Sequence, residues 1–232
     1  MIWHDVECGS YTADLALWRE LAAAERVLVL DLGAGTGRVA PDLASQGHEV
    51  VALDIDEELL DALRSRGHAL PIQTVVADAR DFDLGREYGL ILAPMQTVQL
   101  LPGPTDRASM LRAVRAHLHP GGLFAASLAN AVDTYGELEA PVPDVREVDG
   151  EAFFSRPTAV RDDGDGFVLE RLREHVSAEG ERTATENLIR LARVTAEQLA
   201  AAAAEVGLRP ERTRYVDETD DHVGSEVAML RA

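Results

Sequence analysis

An apolar run beginning at Val27 ends in Leu30-Asp31-Leu32-Gly33-Ala34-Gly35-Thr36-Gly37-Arg38, and a helical pattern follows. Three glycines within five positions let a backbone turn sharply after a strand and come close to a ligand. The helix behind them offers unpaired amides to that ligand. The dinucleotide fingerprint G-x-G-x-x-G needs its third glycine where Arg38 stands, and Gly37 comes one position early. Asp31 also ends the strand with an acid, which suits an ammonium or sulfonium group and repels a pyrophosphate.

Around this turn, short β-branched or leucine-rich runs alternate with helical stretches from Arg26 to Leu128. That alternation predicts a parallel sheet covered on both faces by helices, with right-handed crossovers. Strands are expected at Val27–Leu32, Glu49–Asp54, Gln73–Ala77, Gly89–Ala93 and Leu123–Leu128, and helices near Arg38–Gln46, Glu57–Arg66 and Asp106–Leu118. Tyr11–Ala24 reads as an amphipathic helix lying on the sheet or over the ligand. Thr195 and Gln198 form a capping box for a helix ending at Gly207, followed by strands at Glu211–Val216 and Glu226–Leu230. Asn130–Arg193 breaks the alternation and is an insertion. Its runs Thr158–Arg161, Phe167–Val176 and Thr183–Arg193 read as an antiparallel meander, the first two joined by the turn Asp162–Gly166. The expected organisation is one domain, 1–232: an N-terminal helix or lid (1–25), a ligand-binding half (26–129), a substrate cap (130–194) and a final helix with two strands (195–232).

Asp54 ends the second strand about 20 residues past the glycines, where an acid takes ribose hydroxyls. Asp78 ends the third, and Ala79 beside it offers a backbone amide. The segment Ala93-Pro94-Met95-Gln96-Thr97-Val98-Gln99 leaves the fourth strand on the same edge. In His117-Leu118-His119-Pro120-Gly121-Gly122 the glycines turn the chain, and both histidines read as surface residues.

Composition narrows the chemistry. The net charge of −19 disfavours nucleic acid, since counterion release needs cations. The sequence contains no lysine, so Schiff-base chemistry is excluded. Cys8 is the single cysteine; it reads as a small residue near a chain end and leaves neither a disulfide nor a thiolate cluster possible. No apolar run spans a bilayer and no secretory leader is legible, so a cytoplasmic protein without membrane contact is expected.

Taken together, these blocks resemble the class I S-adenosylmethionine-dependent methyltransferases, well over Val27–Leu128 and more loosely over Thr195–Leu230. The resemblance implies a Rossmann-like α/β fold: a seven-stranded, mostly parallel sheet whose last strand is antiparallel, with helices on both faces and the small antiparallel cap. It implies S-adenosylmethionine as cofactor. Asp31, Gly33, Ala34 and Gly35 would lie by the methionyl part, Asp54 by the ribose, Asp78 and Ala79 by the adenine, and Pro94 and Met95 by the reaction centre, with Ile55 also in the cofactor site. Gln96 and Gln99 would touch substrate, and Tyr11 and Trp18 would shield the cofactor. The implied reaction is in-line methyl transfer to the amine or hydroxyl of a small molecule. His175, Glu170, His222 and Asp220 are the candidate bases; Asp220-Asp221-His222 lacks a second liganding motif and is not read as a metal site. Two alternatives remain at this point: a protein that keeps the cofactor without transferring methyl, and an NAD(P)-dependent oxidoreductase.

Overall fold

The computed structural model describes residues 1–25, 28–129, 134, 142–220 and 222–232. The expectations for Arg26, Val27, Asn130 and Asp221 therefore lie outside the described residues. In chain order the elements are α1 (Ile2–Cys8), α2 (Leu15–Glu25), β1 (Val29–Leu32), α3 (Ala40–Ser45), β2 (Val50–Asp54), α4 (Glu57–Gly67), β3 (Ile72–Val76) and β4 (Tyr88–Ala93). A 3-10 turn at Thr97–Leu100 leads to α5 (Pro104–His117) and β5 (Leu118–Leu128). The chain continues through β6 (Asp144–Val148), β7 (Glu151–Asp162), β8 (Gly166–Val176) and β9 (Arg182–Ala192). It closes with α6 (Ala196–Glu205), β10 (Arg209–Pro210), β11 (Arg214–Val216) and β12 (Ser225–Arg231).

The main sheet runs β10-β12-β5-β4-β1-β2-β3, with β11 also paired to β12. Strands β3, β2, β1, β4 and β5 are mutually parallel, and β12 enters antiparallel to β5. Strands β1, β2 and β4 are buried at every position because helices cover both faces, which is why they read as unbroken apolar runs. One face packs Leu30, Leu53, Ile91 and Phe124 against α5 and α6; the other packs Val29, Val50 and Leu90 against α2, α3 and α4. Trp18 is fully buried on the second face, its indole N–H donating to Asp14 at 2.8 Å, so it belongs to the core and not to a shield over ligand.

The sheet has eight strands where seven were expected. Pairing slips by one residue between Pro210↔Leu230 and Arg214↔Val227, and this bulge divides the anticipated strand 211–216 into β10 and β11. Strand β5 starts at Leu118 and absorbs Pro120-Gly121-Gly122 through a register shift against β4. His117 is buried, correcting its reading as a surface residue. It faces inward on the last turn of α5, accepting at Nε2 from the Leu84 amide at 3.0 Å while Nδ1 meets the Ala113 carbonyl at 2.8 Å.

The insertion forms a four-stranded antiparallel sheet, β6-β7-β8-β9. Its hairpin turn has Gly164 at φ 74° with its amide on the Asp162 carboxylate at 2.7 Å. No helix among the described residues is long and apolar enough to cross a membrane.

Candidate functional site

A cavity of about 1130 Å³ opens where the carboxyl ends of β1, β2, β3 and β4 meet α1 and the inner face of the second sheet. The crevice beyond parallel strand ends is where open α/β sheets take ligands. Its floor is the glycine turn. Gly33 and Gly35 have φ of 70° and 56°, a left-handed conformation that a Cβ disfavours, and each is packed as well. A Cβ on Gly33 would lie 2.7 Å from the Thr97 side chain, and one on Gly35 would lie 2.3 Å from His4 Nε2. The amides of Gly33 and Ala34 both donate to the Leu53 carbonyl, at 2.8 and 3.0 Å, which fixes the turn to β2.

Two acids flank this turn. Asp31 is 1% exposed, and neither carboxylate oxygen makes a hydrogen bond of ordinary geometry. Burial pushes its carboxyl up to about 7, opposed by the Arg38 guanidinium and more weakly by the Ala40 amide. Arg38 is itself held bidentately by Asp14, at 2.5 and 2.7 Å. Asp54 accepts one backbone amide at each oxygen, Gly35 at 2.8 Å and Asp56 at 3.0 Å, and a carboxylate so held keeps further lone pairs for hydroxyl donors. Ile55 follows it, 68% exposed at the cavity wall.

Asp78 and Ala79 also line the cavity, but the Asp78 carboxylate is taken by Arg80 at 2.5 Å, which bonds Asp106 at 2.9 Å. Arg80 holds the Asp78 carboxyl below its ordinary value. Pro94, Met95 and Gln96 form the wall after β4. Met95 has φ 52°, a non-glycine residue in the left-handed region, where strain collects at ligand-binding positions.

Gln99 departs from expectation. It is 1% exposed and absent from the cavity wall; its amide donates to the carbonyls of Ala129 (3.0 Å) and Ala192 (3.1 Å) and accepts from the Ala129 amide at 2.7 Å. It staples the end of β5 to the end of β9.

Of the four candidate bases, only His222 reaches the cavity, its ring tilted 36° against Tyr11 with centroids 4.7 Å apart. His175 stacks on Phe153 and bonds Glu151 at 2.8 Å away from the cavity, Glu170 pairs with Arg161, and Asp220 is exposed. Tyr11 is buried and lines the cavity, with Arg38 over its ring at 5.1 Å. No metal-ligating cluster occurs among the described residues.

The sequence reading missed α1 and the cap residues. His4, Glu7 and Cys8 of α1 and Leu169, Arg171, Arg173 and Leu191 of the second sheet all line the cavity. Burial pushes the Cys8 thiol up to about 11, so it is an unreactive wall. Alternation along Leu169-Glu170-Arg171-Leu172-Arg173 was the signal available for β8, since every second residue shares a face.

A parallel sheet in this strand order, a glycine turn after its first strand and acids at the next two strand ends together define the class I methyltransferase scaffold. Residues 29–122 match the family model described as a methyltransferase domain, and that segment and the fold are those of the class I S-adenosylmethionine-dependent methyltransferases. It is 33% identical over 94 residues to the cypemycin N-terminal methyltransferase of a Streptomyces species, covering 40% of this chain and 38% of that one. The match thus spans well under two thirds of that relative's length. It is 29% identical over 215 residues to ribosomal RNA small subunit methyltransferase A of Deinococcus radiodurans, covering 79% and 69%. Among solved structures, S-adenosylmethionine-bound CalS10, an amino pentose methyltransferase from Micromonospora echinaspora, superposes with a TM-score of 0.74 at 20% identity, covering 100% of this chain and 97% of that one.

Proposed function

We propose that the protein uses S-adenosylmethionine to methylate the amine or hydroxyl of a small molecule, in the cytoplasm and without nucleic-acid or membrane partners. One observation carries the reading: Asp31, a buried carboxylate without a hydrogen-bond partner, lies beside the glycine turn with Asp54 across it. Such a group is costly in an empty site and is relieved by a cationic ligand. The residues fit the cofactor. Asp31 would meet its ammonium, Asp54 its ribose hydroxyls, and Ile55 and Ala79 its adenine, with Asp78 available to the base once Arg80 gives way. Pro94, Met95 and Gln96 border the transfer path.

When bound, the cofactor supplies a methyl group on a sulfonium whose leaving thioether is neutral and needs no acid. The chain's work is then to hold donor and acceptor in line and dry. Such positioning lowers a barrier by up to about 7–11 kcal/mol. Leu100, Leu101, Pro157, Val160, Leu169 and Leu191 give the acceptor half an apolar wall that excludes water. An acceptor that arrives as an ammonium or a hydroxyl must lose a proton, and His222 on the cavity wall is the base this reading assigns to it. The likeness to CalS10, an amino pentose methyltransferase, and to the cypemycin N-terminal methyltransferase supports an amine acceptor.

The test is calorimetry with S-adenosylmethionine, NAD and NADP, followed by S-adenosylhomocysteine release with small amines. Binding of the sulfonium nucleotide alone, with turnover of an amine, is expected. Binding without turnover on any amine, phenol or carboxylate leaves a cofactor-holding protein instead, and preference for NAD(P) overturns the assignment.

A further inference from the structure

Helix α1 closes over the glycine turn through a directed hydrogen-bond chain. Thr36 Oγ1 lies 2.5 Å from Asp5 Oδ1 and 3.1 Å from His4 Nδ1. Asp5 is paired with Arg66 of α4, and Arg146 of β6 stands 3.9 Å away, so its carboxylate is ionised and can only accept. The single Thr36 hydroxyl proton is therefore spent on Asp5, and His4 Nδ1 must donate to Thr36. That fixes the tautomer: the other ring nitrogen, Nε2, carries a lone pair and meets no hydrogen-bond partner among the described residues. Burial lowers the affinity of this imidazole for a second proton, against Asp54, Asp5 and Glu7, which pull the other way. His4 lines the cavity, and Nε2 is the ring atom nearest to where a Cβ on Gly35 would stand, the Gly35 amide being bound to Asp54.

We propose that His4 contacts the cofactor, its bare Nε2 accepting a hydrogen bond from one ribose hydroxyl of the adenosyl group beside Asp54. The inference rests on the S-adenosylmethionine reading and extends it by making α1 part of the nucleoside site. Of the acids near His4, Asp5 and Glu7 are paired with arginines and Asp54 lies at the glycine turn, so the donor that Nε2 would meet there is a hydroxyl and not the adenine amine, which belongs at the end of β3. Glu7 anchors the same helix to the second sheet, accepting from Ser155 at 2.7 Å and from Arg173 at 2.7 and 2.8 Å. The position of His4 is therefore set from three sides.

The experiment titrates S-adenosylhomocysteine and its 2′-deoxy and 3′-deoxy analogues into wild type, His4→Phe and His4→Gln, each checked for an unchanged circular dichroism spectrum. Failure of wild type to bind S-adenosylhomocysteine at all overturns the cofactor reading itself. Given wild-type binding, His4→Phe should weaken S-adenosylhomocysteine by about five- to tenfold, the loss of one hydrogen bond. His4→Gln, which keeps an acceptor near the Nε2 position, should stay within about threefold of wild type. One deoxy analogue should bind His4→Phe and wild type equally, because its missing hydroxyl is the one His4 holds. Should His4→Phe bind like wild type, or lose the same factor with all three ligands, His4 is packing and the proposal fails. If His4→Phe does not fold, His4→Ala takes its place in the same three-ligand comparison, with the same supporting and refuting outcomes.

Discussion

Asp31 shows how one side chain can be costly to the fold and useful to the site. Its carboxyl titrates at 3.8 when unperturbed and at about 7 in the folded chain, so the folded state holds the proton more tightly. Stability from this group is full below pH 3.8 and is lost as pH rises toward 7, a difference of roughly 4 kcal/mol. Asp31→Asn should therefore melt higher than wild type at pH 8, by roughly 8–16 °C for a domain of this size, and match it near pH 4. The same variant should bind S-adenosylmethionine more weakly at pH 8, and wild-type affinity should fall as pH drops below 7 and the carboxylate protonates. A variant that melts lower at pH 8 contradicts this account. At Asp54 the balance differs, because both oxygens already accept amides. Asp54→Ala should leave the far-ultraviolet spectrum intact while S-adenosylmethionine affinity drops about a hundredfold or beyond calorimetric detection, two charge-assisted hydrogen bonds being lost.

Among the elements, those that pack in long periodic runs were legible in the sequence, and those stabilised by distant partners were not. Strands β1, β2 and β4 announce themselves because helices bury both their faces, and α6 because Thr195 and Gln198 satisfy its first amides locally. Helix α1 has seven residues, too few for a periodicity, and it stands because Asp5 and Glu7 find Arg66, Arg173 and Ser155 far along the chain. Strand β6, with its acidic and exposed face, depends in the same way on β7. For the site, glycines and acids at strand ends were readable because their positions follow from backbone geometry. The pairing of Arg80 with Asp78 and the stapling role of Gln99 depend on side-chain directions that spacing does not reveal. Gln99→Leu strands the amide and carbonyl of Ala129 and the carbonyl of Ala192, at a cost of about 2–5 kcal/mol. Urea melts should show that loss, with S-adenosylmethionine affinity within about twofold of wild type. Unchanged stability with lost turnover would return Gln99 to the substrate role its sequence position suggested.

At the scale of the whole molecule the surplus of acids sets which partners can approach. The chain has 41 acidic residues against 22 arginines, and many of those arginines are committed to carboxylates: Arg66 to Asp5, Arg173 to Glu7, Arg190 to Asp163, Arg214 to Glu20 and Arg231 to Glu25. Polyanion binding draws on free cations that displace counterions, so the expectation for a surface of this kind is weak RNA binding and an easier approach for cationic amines. The match to a ribosomal RNA methyltransferase does not by itself carry an RNA acceptor over to this chain, since a shared scaffold holds the cofactor and says nothing of the acceptor. Fluorescence anisotropy with single-stranded and hairpin RNA should show no binding even at about 20 mM salt, where the screening length is longest and a basic patch would act most strongly. Binding that weakens steeply with added salt would instead reveal a local cationic track, and with it an RNA acceptor. The same surplus predicts the protein's own response to salt: like charges repel across the folded surface, so the melting temperature should rise by a few degrees between about 20 mM and 500 mM sodium chloride. A falling melting temperature would mean that the surface ion pairs outweigh that repulsion.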